Sequence, residues 1–149
     1  AYDIRLTNRA GQSASLPELM DMDVNTALPF CADRKTVSQK LQVLQQLGLG
    51  YLTLGEETPS LSGGEAQRLM LARAVCSKPD MLLVDEPTAQ LDTRTAHSVS
   101  HVLNNLSGQG MIVLVATHDP DTRDACDRVL DLADYAPGGS KSQEPELEE

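Results

Sequence analysis

An α/β fold with a mostly parallel sheet flanked by helices is predicted by three observations. Two apolar runs, Met81-Leu82-Leu83-Val84 and Met111-Ile112-Val113-Leu114-Val115-Ala116, read as buried strands. Between them, residues 93–106 carry Ala96, Val99, Leu103 and Leu106 at helical spacing. Two further helical patterns, over 34–47 and 65–75, precede the first run.

The elements follow in order. Residues 1–33 read as irregular, with a strand-like start over 2–6 and a segment, 16–28, broken by Pro17 and Pro29. The 34–47 helix places Val37, Leu41, Leu44 and Leu47 on one face, and Gly48 is placed to end it. The first apolar run enters after Lys78-Pro79-Asp80 and stops at Pro87. The second leads into His118-Asp119-Pro120. A short helix is expected over 121–127 and a last strand over 128–132. The tail, 137–149, has Gly, Ser, Pro and four Glu without an apolar pattern, so it is expected to be disordered.

Chemistry concentrates at three places. Leu61-Ser62-Gly63-Gly64-Glu65-Ala66-Gln67-Arg68 opens the third helical pattern. A helix start presents unpaired N–H groups and a partial positive charge, which suits an anion. Two glycines let that anion approach the backbone. An ordinary capping box, Ser62 with Glu65, accounts for the Ser and the Glu but not for the Gly pair. The second place is Asp85-Glu86, two carboxylates at the C-terminal tip of a strand, where open α/β sheets hold ligands. The third is His118 at the tip of the second run. His97 and His101 lie one turn apart, opposite the apolar stripe of their helix. Such a pair can ligate zinc, but no third ligand is apparent, and a solvated face is the preferred reading.

In this order the motifs resemble the ABC ATPases. The resemblance implies a partial P-loop, ABC-type nucleotide-binding domain with a helical signature subdomain. It assigns Ser62, Gly63, Gly64, Glu65 and Gln67 to the signature that contacts nucleotide. It makes Asp85 a Mg²⁺ ligand, through water, and Glu86 the base that polarises the attacking water. Thr88-Ala89-Gln90-Leu91-Asp92 resembles the D-loop, with Asp92 its acidic residue, and His118 the switch that contacts the γ-phosphate. The implied cofactors are ATP and Mg²⁺.

The sequence contains no G-x-x-x-x-G-K-[ST] phosphate loop, since Gly138-Gly139-Ser140-Lys141-Ser142 has the wrong spacing and context. No Gln-loop can be assigned. The chain is therefore expected to be the C-terminal part of a nucleotide-binding domain, inactive alone, and its start at Ala1 fits an excised piece. Residues 1–60 would lead to the signature and 61–136 would form the ATPase core.

The approach to the signature, Leu47-Gly48-Leu49-Gly50-Tyr51-Leu52-Thr53-Leu54-Gly55, is similar to that of the A subunits of the UvrABC excinucleases, a family of bacterial nucleotide-excision-repair damage sensors. So is Leu16-Pro17-Glu18-Leu19-Met20-Asp21-Met22-Asp23-Val24-Asn25-Thr26-Ala27. The similarity spans roughly residues 2–75. Gln90-Leu91-Asp92 and Thr117-His118-Asp119 depart from it toward transporter-type cassettes, so a divergent excinuclease-A-like paralogue and a transporter ATPase subunit both stay open. The excinuclease resemblance implies an ATP-hydrolysing DNA-damage recognition protein. Its partners would be the ABC half that supplies the phosphate loop, a second copy of the full-length protein, damaged DNA and the excinuclease B subunit. The family's zinc module would lie outside this chain.

Composition sets limits. The net charge of −10 opposes a nucleic-acid footprint on these 149 residues taken alone. No run of about 18 apolar residues exists to span a membrane. Cys31, Cys76 and Cys126 are isolated, which suits neither a zinc ribbon nor a disulfide framework. A reduced, cytoplasmic setting is expected.

Overall fold

A computed structural model describes residues 4–89 and 91–135. The 137–149 tail and Gln90, within the stretch expected to act as a D-loop, lie outside them. The element order is β1 (Arg5–Thr7), β2 (Ser13–Ser15), α1 (Leu16–Met20), α2 (Val24–Phe30), α3 (Lys35–Gln46), a 3-10 turn (Thr58–Ser60), α4 (Gly63–Cys76), β3 (Met81–Asp85), α5 (Thr93–Gly108), β4 (Ile112–Ala116), α6 (Pro120–Asp124) and a 3-10 turn (Leu132–Tyr135).

The first 33 residues are more regular than expected. β1 and β2 form an antiparallel hairpin, and two short helices follow. Asn8 closes the hairpin by accepting from the Gln12 N–H and reaches the Phe30 carbonyl through Nδ2. The prolines do not break the segment. Pro17 occupies the first turn of α1, where its missing N–H has no helical partner to lose. Pro29 sits in the last turn of α2, where it removes one bond just before the helix ends. Ser15 and Asp23 cap the two helices, a local signal that hydrophobic periodicity does not register.

Two apolar clusters meet on α3. Ala14, Val24, Ala27, Phe30, Cys31 and Leu41 form one. Leu47, Leu71, Ala72, Val75, Leu82, Val99, Val102, Leu103 and Leu106 form the other, and Leu44 packs against both. Burying a side chain such as Leu47 or Val99 contributes roughly 1.5–3 kcal/mol. The α3 stripe starts later than its spacing suggests. Val37 is exposed, because neither cluster extends to the first turn of the helix. Gly48 ends α3 at φ +72, a conformation that glycine adopts without strain.

β3 and β4 pair in parallel, Met81 opposite Ile112 through Asp85 opposite Ala116. The expectation of fully buried strands is corrected here. Leu82, Val84, Val113 and Val115 face the core, whereas Met81, Leu83, Ile112 and Leu114 are 52–67 % exposed. Helices cover one face of this two-stranded sheet, and none of the described elements lies over the other. Residues 128–132 form no strand; Val129, Leu130 and Leu132 are exposed and pair with nothing among the described residues. The helix expected over 121–127 is the shorter α6, which starts on Pro120 with Asp119 as its cap.

Candidate functional site: a glycine-led helix start and a strand-tip carboxylate pair

The first half-site is the start of α4. Ser62 is the N-cap, its hydroxyl oxygen accepting from the Glu65 N–H at 3.3 Å while the Glu65 carboxylate accepts from the Ser62 N–H at 2.6 Å. The capping box is therefore present, and it coexists with the anion-binding reading. It orients the turn but uses neither the Gly63 N–H nor the Gly64 N–H, which have no acceptor inside the helix. Tyr51 donates its hydroxyl to the other Glu65 oxygen. That bond, followed by those from Ser62, holds the Glu65 carboxylate down at about 2. Behind the turn lies Arg68, buried, with an Nε that has no hydrogen-bond partner.

The glycines differ in what surrounds them. A Cβ at Gly63 would meet nothing within 4 Å, so packing within the chain does not demand glycine there. A Cβ at Gly64 would come within 3.2 Å of Leu91 Cδ2 and 3.5 Å of Arg68 Nη1. A helix start with free N–H groups, an accessible backbone and a buried guanidinium fits a phosphate.

The second half-site is the tip of β3. Asp85 is exposed, and its carboxylate accepts no hydrogen bond among the described residues. Glu86 turns the chain with φ +45, a left-handed conformation rare for a residue with a Cβ. Its N–H donates to the Ala116 carbonyl at 2.8 Å, at the end of β4. Its carboxylate lies 2.6 Å from His118 Nδ1 and accepts from the His118 N–H at 3.2 Å and the Thr117 hydroxyl at 3.3 Å. The His118 contact lowers the Glu86 pKa, and the same contact raises that of His118. Parallel pairing of β3 with β4 thus brings together two residues 32 positions apart. An exposed carboxylate beside a second one fits a hydrated divalent cation, although no group of three or more His, Cys, Asp or Glu gathers among the described residues.

Asp92 is the N-cap of α5, accepting from the Thr95 N–H and hydroxyl. Those bonds lower its pKa. Gln67 donates through Nε2 to the Glu86 carbonyl at 2.8 Å. Asp119 caps α6 and accepts from the hydroxyls of Thr122 and Thr88, joining the loop after β3 to the loop after β4. His97 and His101 are exposed on α5, beside Arg94 and Gln46 in an open cleft. Tyr51, Arg68, Thr88 and Thr122 were not singled out by sequence. Their partners lie across loops, and no spacing rule relates Tyr51 to Glu65.

The sequence model of the ABC transporter family matches residues 5–89. The chain belongs to that family. Within it, the UvrABC system protein A of Mycoplasmopsis pulmonis is 40% identical over 131 residues, covering 86% of this chain and 14% of that protein. The protein of the same name from Thermus thermophilus is 37% identical over 121 residues, covering 79% and 13%. The crystal structure of UvrA2 from Deinococcus radiodurans superposes with a TM-score of 0.64 at 30% identity, over 76% of this chain and 14% of that one. A dimeric ATP-binding cassette in a post-hydrolysis state, bound to ADP and Pi, gives 0.53 at 28% identity, over 66% and 45%. This ABC chain thus spans about one seventh of the curated relatives it matches. The described residues contain no helix long and apolar enough to cross a membrane.

Proposed function

We propose that this chain is the ABC ATPase part of an excinuclease-A-like protein that recognises DNA damage in nucleotide excision repair. The observation that carries the ATPase reading is the start of α4. Gly63 has no packing reason to be glycine, its turn offers free N–H groups, and a buried Arg68 backs it. The repair reading is supported by identities of 36–40% to UvrABC system protein A over most of this chain.

In this reading the chain serves two nucleotides. Ser62, Gly63, Gly64 and Glu65 form the edge of one site, whose phosphate loop belongs to another ABC half. There the Ser62 hydroxyl, accepting from the Glu65 N–H, still has its proton to donate. Asp85, Glu86 and His118 serve a phosphate loop of this half's own, and Asp92 is the acidic residue of its D-loop. ATP supplies the transferable phosphoryl group when bound, and Mg²⁺ at Asp85 would offset its charge. Glu86 orients the attacking water and accepts its proton, while His118 and Thr117 hold the carboxylate in place. The 149 residues contain no phosphate loop, so on this reading they should turn over no ATP by themselves. The whole protein acts in the cytoplasm as a dimer, with damaged DNA and the excinuclease B subunit as partners; residues 1–60 lead to the signature and 61–136 form the core.

The test uses the full-length protein. Glu86→Gln should leave ATP binding nearly intact and slow hydrolysis by ~10²–10⁴-fold once the companion site is disabled. Wild-type turnover in that variant would remove Glu86 as the base. ATP-dependent preference for damaged over intact duplex separates repair from transport. Transporter-like residues at Leu91-Asp92 and Thr117-His118-Asp119 favour the second reading, a transporter ATPase, which predicts no such preference.

A further inference from the structure

The two half-sites are joined by one side chain. Gln67 lies one turn beyond the Gly63–Gly64 start of α4, and its Nε2 donates to the Glu86 carbonyl at 2.8 Å. Two other bonds hold the peptide units on either side of the Glu86 Cα. The Glu86 N–H donates to Ala116 at 2.8 Å, and the Glu86 carbonyl also accepts from the Ala89 N–H at 3.2 Å. Of the three, two come from β4 and from the loop that follows Glu86, and only the Gln67 bond comes from α4.

The residue being held is strained. A left-handed φ at a residue with a Cβ costs of order 1–3 kcal/mol and persists where neighbours over-determine it. Glu86 at φ +45 is such a residue. Its backbone also sets where its carboxylate points, toward His118 and Thr117. A contact that fixes the Glu86 carbonyl therefore fixes the aim of the carboxylate.

We propose that Gln67 is a positioning residue that couples the nucleotide received at the start of α4 to the orientation of Glu86, so that one ATP site senses the other. This rests on the functional reading above. α4 is a continuous helix of 14 residues, and Gln67 sits close to its start. A shift of that start is transmitted to Nε2 within one rigid turn. Stretching the bond by about 0.7 Å takes it past the 3.5 Å at which a hydrogen bond ceases to be one. The contact can thus be made or broken by small motions, and its loss leaves the Glu86 carbonyl held by the Ala89 N–H alone, with no tie to α4.

The experiment compares Gln67→Glu, Gln67→Ala and Gln67→Lys in the full-length protein. Glu keeps the shape and loses the donor, Ala loses both, and Lys keeps a donor on a flexible stem. For Glu and Ala, kcat should fall by roughly tenfold or more while KM for ATP stays within about twofold, in keeping with the effect of sub-ångström misplacement. The Hill coefficient for ATP should drop toward one, and Lys should recover part of both. A packing role predicts instead that Glu behaves like Gln and that Ala lowers the melting temperature. Wild-type kcat and Hill coefficient in Gln67→Glu would overturn the coupling. Failure of the functional reading looks different: the wild-type protein would show no ATP turnover, or Glu86→Gln would not slow it.

Discussion

At the scale of single residues, Gly63 and Gly64 separate two demands that usually coincide. If folding required glycine at 63, substitution would cost stability. A built Cβ there meets nothing within 4 Å, and φ is not left-handed. Gly63→Ala should therefore leave the chain as stable as before, or raise its stability by about 0.5 kcal/mol through helix propensity and a less flexible unfolded chain. On the proposed reading, the same change should weaken ATP-driven activity of the full-length protein, because the added methyl would stand where the nucleotide's phosphate is received. Thermal melts of the chain together with ATPase rates of the full-length protein check both halves. A destabilised Gly63→Ala chain with normal ATPase activity would reverse the argument. The residues that converge at the β3 tip were legible in the sequence, because Asp85-Glu86 and His118 each follow an apolar run and parallel pairing aligns the run ends. Tyr51 and Arg68 were not, because their importance lies in a hydroxyl reaching Glu65 across a loop and in an orphaned Nε, neither of which leaves a periodic trace.

At the scale of elements, α4 has a pH dependence set by its cap. The Glu65 pKa is lowered from 4.5 to about 2 by Tyr51 and Ser62. A carboxylate with a depressed folded pKa stabilises the fold fully above its unfolded value, near 4.5, and loses that contribution as pH falls through about 2. The α4 start should therefore fray between these limits, before the clusters that hold the rest of the helix give way. Amide exchange at Gly64, Glu65 and Ala66, followed as the pH is lowered, reports this directly. Glu65→Ala, which removes both acceptor oxygens, should show the frayed pattern already at neutral pH and little further change on acidification, and a pH-independent pattern in the wild-type chain would remove the carboxylate from the cap. Element boundaries were legible wherever apolar spacing and a cap agreed, as in α3 and α5. They failed over residues 1–33, where α1 and α2 are only five and seven residues long, too short for the Val24, Ala27, Phe30 face to stand out as a period, and start on Ser15 and Asp23 caps. They failed again at 128–132, where an apolar run finds no strand to pair with among the described residues.

At the scale of the whole molecule, opposing terms act on the open face of the β3–β4 sheet. Met81, Leu83, Ile112 and Leu114 form an apolar face that monomeric proteins seldom leave uncovered. Burying such a face against a second copy is favoured by about 25 cal/mol for each Å² removed from water. The net charge of −10 resists that contact by repulsion between copies. Repulsion is screened by salt, with a Debye length of ~10 Å at 0.1 M and ~3 Å at 1 M, whereas the hydrophobic term is not. The 149-residue chain should accordingly be close to monomeric at low ionic strength and associate increasingly as NaCl is raised, with a parallel loss of ANS fluorescence as the face is covered. Leu83→Lys should abolish the salt-driven step while leaving the far-UV circular dichroism unchanged, since its side chain is 67% exposed and outside the core. Sedimentation velocity across a salt series decides the matter. Association that weakens with salt would mean that charge pairing, and not this face, brings the copies together.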